Sequence, residues 1–206
     1  MERFDDTPET ALAWHRAGKG AALATVVQTW GSAPRRVGSQ LAISGEGEIT
    51  GSVSGGCVEG AVVAEALDAI EDGRPLMLEY GVTDDDAFAV GLACGGTIRV
   101  LVEPVGSVMP EDLLADLVLA REGRVPVAYV TGMEVDRRLE HEGHATRFRM
   151  DWSGFEEDGT TFVAVHNPPL RLIVVGAVHI AQALVPMARI AGYDPLLVDP
   201  RESFAS

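Results

Sequence analysis

Apolar residues recur at two periods along the chain. Val58, Val62, Ala66, Ala69 and Ile70 fall at spacings of three and four, which predicts an amphipathic helix with one face turned to a core. Residues 7–18 predict an earlier helix, with Pro8 near its start and Gly18 and Gly20 past its end. Residues 110–122 predict a later one, opened by Pro110 and followed by Gly123. Between the helices lie β-branched, apolar runs at 21–30, 75–80, 97–103 and 125–131, read as strands, and residues 40–44 and 48–53 flank Gly45-Glu46-Gly47 as a hairpin. From 132 to 162 the pattern loosens, and 137–140, 144–150 and 160–165 are expected to form antiparallel strands. His166-Asn167-Pro168-Pro169 reads as a linker. After it, residues 170–175, a turn at 176–181 leading into a helix, and residues 195–198 spell a β-α-β unit.

The expected architecture is therefore α/β: a mixed-sheet domain over 1–166, followed by the start of a Rossmann-like β-α-β unit over 170–206. A chain of 206 residues with 47% hydrophobic content has enough apolar surface for a sizeable core. Its formal net charge of −15 repels polyphosphate and anionic lipid, so neither nucleic acid nor a membrane surface is an expected partner. No apolar run is long enough to span a bilayer, and the start Met1-Glu2-Arg3-Phe4-Asp5-Asp6 lacks the basic and apolar regions of an export signal, which suggests a cytoplasmic protein. In that compartment the two cysteines, Cys57 and Cys94, are read as reduced thiols or ligands, with a bridge between them as the alternative.

Candidate chemistry gathers around those cysteines. Gly55 and Gly56 precede Cys57, which the periodicity places in the first turn of the second helix. Glycines there allow close approach of backbone N–H groups, and the positive end of the helix favours a thiolate or a bound anion. Glu59, one turn in, is a candidate for orienting a bound group or carrying a proton. The second motif, Gly91-Leu92-Ala93-Cys94-Gly95-Gly96, reverses the order. Between two strands, the loop with Arg35 and Arg36 offers planar cations suited to phosphate or carboxylate, or alternatively two solvated charges. Asp84-Asp85-Asp86 reads as a solvated helix start rather than a metal site, and His141 and His144 lack the further ligands that zinc needs. In the late unit, the spacing from Gly176 to Asp199 suits a ribose-binding carboxylate, but Val178 stands where the dinucleotide fingerprint has its second glycine.

The pieces Gly31-Ser32-Ala33-Pro34-Arg35, Gly55-Gly56-Cys57-Val58-Glu59, Gly91 to Ile98 with the strand to Glu103-Pro104, and Val175 to Ala181 with Val198-Asp199-Pro200-Arg201 resemble, in this order, the XdhC/CoxI family. That resemblance implies an accessory maturation factor for molybdenum hydroxylases such as xanthine dehydrogenase and carbon monoxide dehydrogenase. Such a factor binds the molybdenum cofactor (molybdopterin), assists its sulfuration with a cysteine desulfurase, and hands it to the apo molybdenum hydroxylase without catalysing a reaction of its own. The residue chemistry is compatible with that role: Cys57, Cys94, Gly55, Gly56, Glu59, Arg35, Arg36, Gly95 and Gly96 are its candidate cofactor-binding residues, with Cys94 opposite Cys57, and Gly176 and Asp199 are the candidates in the late unit. Two other readings are an oxidoreductase using NAD(P) or FAD in the β-α-β unit and a thiol redox protein. The open parallel edge of that unit suggests a homodimer.

Overall fold

The β-branched run after the first helix becomes β1 (Ala21–Trp30), the middle strand of a five-stranded sheet. A computed structural model describes residues 6–33, 35–81 and 96–201. The chain divides into two compact units, Thr7–Asn167 and the residues from Pro168 onward.

In the larger unit, α1 (Thr7–Arg16) leads into β1, and a nine-residue connection over 31–39 returns the chain as β2 (Gln40–Ser44). Then follow β3 (Ile49–Gly51), α2 (Glu59–Asp72), β4 (Leu76–Tyr80) and β5 (Thr97–Pro104). The sheet order is β3-β2-β1-β5-β4, and every neighbouring pair is antiparallel. Alternation sends Ala22, Ala24 and Val26 of β1 to one face, where they meet Val100 and Val102 of β5 and Val62, Ala66 and Ala69 of α2. Ala21, Leu23 and Val27 go to the other face and join α1, α3 (Glu111–Glu122), β6 (Val127–Thr131) and β9 (Phe162–His166) in a second core. A bulge between Val26 and Gln28 shifts the register of the last turns of β1 against β5. The layers are thus α2, the five-stranded sheet, and a composite layer of two helices and a four-stranded sheet.

That second sheet has the order β7-β6-β9-β8, with β7 (Arg138–Glu140) and β8 (Gly154–Phe155) at its edges. Residues 144–150, expected as a strand, are instead α4 (Ala145–Met150). Only Thr146 there is β-branched, the rest are adequate helix formers, and the helix packs Phe148 against Ala128, Val130 and Val163. Residues from Pro168 onward contain β10 (Arg171–Val175), α5 (His179–Ile190) and β11 (Asp194–Val198). β10 and β11 pair in parallel, the geometry of a β-α-β unit. The α/β class is as the hydrophobic pattern predicts, but both sheets of the larger unit are antiparallel throughout, where a mixed sheet was expected, because their neighbouring strands are joined without parallel crossovers.

Candidate functional site at the start of the second helix

Three of the sequence motifs meet at one end of the five-stranded sheet. β3 delivers the chain through Gly51, whose φ is 92° and where a Cβ would lie 2.4 Å from the Gln40 carbonyl oxygen, so only glycine fits this exit. Ser52 follows, and its carbonyl oxygen accepts a hydrogen bond from Arg35 Nε at 3.2 Å. This contact ties the arginine loop to the cysteine loop. Ala33 and Cys57 both pack against the core that α2 shares with the sheet. Gly96 lies against the same loop from a third direction: a Cβ on it would meet the Trp30 carbonyl oxygen at 2.7 Å and Ser32 at 3.1 Å.

The helix begins at Glu59 with Val58 as its N-cap, so Cys57 stands just ahead of the first turn and not within it. Gly55 and Gly56 have φ of 78° and 108° and curl the chain back over the helix start. Their N–H groups do not point outward as free donors. Glu59 reaches back and takes them, together with most other donors of the loop. Its Oε1 accepts from Ser52 Oγ (2.7 Å), Val53 N (3.2 Å), Ser54 N (2.9 Å) and Gly55 N (3.1 Å), and its Oε2 from Gly56 N (2.8 Å) and from the Ser54 hydroxyl. Ser54 Oγ in turn accepts from Cys57 N (3.0 Å) and Val58 N (2.9 Å). Burial acts to raise the Glu59 pKa, but the hydrogen bonds from Ser54, Ser52 and the loop backbone outweigh it and bring it down to about 2. Glu59 is therefore an anion at any physiological pH.

The side chains left facing outward are few. Cys57 is a free, half-buried thiol. Arg35 is exposed, and among the described residues only its Nε has a protein partner. Arg36 turns away: its Nη1 pairs with Asp151 Oδ2 at 2.8 Å, and Gly38 packs against Ser153, so residues 36–38 are anchored to the composite layer. Sequence reading did not single out Ser52, Ser54 or Asp151. Two serines just ahead of a glycine pair, shortly before the first acidic residue of a helix, are the available signal, because short hydroxyls favour such caps. Cys94, Gly95 and Asp84-Asp85-Asp86 lie outside the described residues. Among the described residues no group of three or more His, Cys, Asp or Glu is arranged to hold a metal ion.

Gly176 and Asp199 belong to the other unit. Gly176, just after β10, has a φ of 112°, and Asp199 Oδ2 accepts from Ala177 N at 2.8 Å. Asp199 also binds Arg201 through Nε (3.0 Å) and Nη2 (2.8 Å). The Arg201 guanidinium, with help from the Ala177 and Arg201 N–H groups, holds that carboxyl well below the usual carboxylate range. A ribose hydroxyl would have to compete with these partners.

A family model described as the XdhC and CoxI family matches residues 14–81, which include Arg35, the cysteine loop and all of α2. Over those residues the chain resembles the XdhC and CoxI family. The chain is 36% identical over 187 residues to the molybdenum cofactor insertion chaperone PaoD of Escherichia coli (strain K12), across 89% of this chain and 54% of that protein. It is 34% identical over 88 residues to a probable xanthine dehydrogenase subunit of Bacillus subtilis (strain 168), across 41% of this chain and 26% of that one. Its fold resembles the crystal structure of a xanthine dehydrogenase from Bacillus halodurans, with a TM-score of 0.75 at 22% identity over 97% of this chain and 64% of that chain. The chain spans about half the length of PaoD. The XdhC and CoxI match contains Arg35, Arg36, Gly55, Gly56, Cys57 and Glu59, whereas Cys94, Gly95, Gly96, Gly176 and Asp199 lie beyond it.

Proposed function

We propose that this chain takes part in the maturation of a molybdenum hydroxylase by binding the molybdenum cofactor and delivering it to the apoenzyme. The observation that carries this reading is the meeting of Arg35, Cys57 and Gly96 at one end of the sheet, in a chain similar to a protein named as a molybdenum cofactor insertion chaperone. The cargo combines a phosphate, a polar pterin and a metal-bound dithiolene. Its recognition calls for a cation and a soft ligand. Arg35 has guanidinium N–H groups without protein partners among the described residues, and these suit the phosphate. The Cys57 thiol suits the metal or its sulfur. Gly55 and Gly56 contribute shape more than donors, because their N–H groups are held by Glu59. In this reading Cys94 and Gly95, which immediately precede Gly96, complete the site.

Sulfuration by a cysteine desulfurase is the finer step we attach to Cys57. A thiol at this rim takes the outer sulfur of the desulfurase's own cysteine persulfide, returning the desulfurase cysteine to a thiol, and holds it as a Cys57 persulfide at the cofactor site. The test is cofactor retention. Purified protein incubated with molybdenum cofactor retains it through gel filtration, and Cys57→Ala retains much less. Equal retention by the variant removes Cys57 from the site. Absence of retention by the unaltered protein removes the function.

A further inference from the structure

A helix start with several backbone N–H groups pointing one way ordinarily attracts an external anion. Here the anion is internal. The carboxylate of Glu59 accepts from the Ser52 hydroxyl, from the N–H groups of Val53, Ser54, Gly55 and Gly56, and from the Ser54 hydroxyl. The residue is only 8% exposed, so it is enclosed by the loop and is not presented to a ligand. Ser54 is fully buried and links the carboxylate to the cysteine: it donates to Glu59 Oε2 and accepts from Cys57 N at 3.0 Å. Gly55 N also donates to Ser52 Oγ at 2.8 Å, so the two serines and the carboxylate close one network around the turn.

We propose that Glu59 is a positioning residue for Cys57: its carboxylate fills the donor nest of its own loop and, through Ser54, fixes where the thiol stands at the rim of the loop that Arg35 grips at Ser52. This gives Glu59 a role distinct from orienting cargo or carrying a proton. The value of the proposal rests on the reading of Cys57 as a ligand, but its test does not need cargo. The geometry has a chemical consequence. With the N–H groups of Val53 to Val58 engaged, an arriving anion finds no open nest of donors in this turn and meets Arg35 instead. A neutral side chain at 59 reverses this. Glutamine offers one acceptor oxygen and sets an NH2 donor against other donors, so the loop loses its closure and Cys57 its fixed place.

The test measures alkylation of Cys57 in the full chain at neutral pH, with the Cys57 peptide resolved by mass spectrometry so that Cys94 does not contribute. Glu59→Gln is expected to react roughly tenfold faster than the unaltered protein, as follows when a buried hydrogen-bonded anchor is lost and the loop opens. Glu59→Asp keeps the charge with a shorter reach and is expected to fall between the two. Val62→Ala loosens the same helix from the core without touching the loop hydrogen bonds, and is expected to stay within about twofold of the unaltered rate. Ser54→Ala removes the link between carboxylate and cysteine, together with the bond from Val58 N, and reads the same effect if Glu59→Gln does not fold. A rate for Glu59→Gln and Ser54→Ala equal to the unaltered one, or a Val62→Ala rate that rises as far as theirs, overturns the proposal. Failure of cofactor binding by the unaltered protein would remove the proposed function and leave this result standing.

Discussion

Two buried carboxylates in this chain face opposite electrostatic problems. Glu103 on β5 is fully buried, and its Oε1 accepts from Tyr129 (3.0 Å), Thr131 (2.6 Å) and Arg137 Nε (3.0 Å). It therefore joins the five-stranded sheet to the composite layer. Burial raises its pKa against the opposing pull of Thr131, Arg137 and Tyr129. A raised carboxyl pKa means that the folded protein holds the proton more tightly, so this group's contribution to stability declines as pH rises from the unfolded carboxylate value through the folded one. Glu59 runs the other way. Its pKa is lowered from 4.5 to about 2, so its contribution is fully present above 4.5 and is lost as pH falls through about 2. Thermal melts of the unaltered protein should therefore lose stability between those two pH values, and Glu59→Gln should lose measurably less over the same interval. Removing Glu103 is the more damaging change. Glu103→Ala leaves the Arg137 charge, only 14% exposed, without its partner, and urea unfolding should record a loss of about 3–5 kcal/mol. Glu103→Gln keeps an oxygen for the hydroxyl donors and should lose less.

At the scale of elements, the cysteine loop depends on backbone conformations that a side chain resists. Gly56 has a φ of 108°, yet a Cβ there would meet nothing within 4 Å. Gly56→Ala therefore tests backbone strain alone, and should lower stability by about 1–2 kcal/mol in chemical denaturation. Gly51→Ala adds a collision, since its Cβ would lie 2.4 Å from the Gln40 oxygen and 2.7 Å from Thr7 Oγ1, and it should cost more than Gly56→Ala. This contrast also marks what could be read in advance. Val62, Ala66 and Ala69 announced α2 because a helix repeats its buried face, and β1 was legible because ten residues alternate around a core on both sides. Residues 144–150 misled because seven residues are too few to separate a period of two from one of 3.6. The glycine pair marked a tight turn, but the direction in which Glu59 folds back is set by three-dimensional closure of the loop. Periodicity carries no record of that. Arg36 likewise looked equivalent to Arg35 until Asp151, far along the chain, was seen to hold it.

For the molecule as a whole, the residues from Pro168 onward pose a problem of coverage. Parallel strands are ordinarily buried on both faces. In the β10–β11 pair, Ile173 stands beside Leu196 and Val175 beside Val198, so alternation puts all four on one face of the sheet. Their exposures are 61%, 48%, 74% and 43%. Leu172 and Val174 occupy the opposite face and are half-buried. α5 adds Ile180, Leu184, Met187 and Ile190, spaced as one helical stripe and all exposed. Exposed apolar surface of this kind favours association over solvation. We therefore expect the chain to self-associate as its concentration rises, with light scattering after gel filtration showing a growing average mass. Changing Ile173 and Val175 together to lysine places two charges on the face without altering the Leu172 and Val174 packing. The double variant should retain the far-ultraviolet circular dichroism of the unaltered chain and stay monomeric over the same concentrations. A parent chain that remains monomeric throughout would mean that this surface is not a site of self-association. A double variant that associates as strongly as its parent would move the contact to the exposed stripe of α5, where Ile180→Lys with Met187→Lys is the corresponding test.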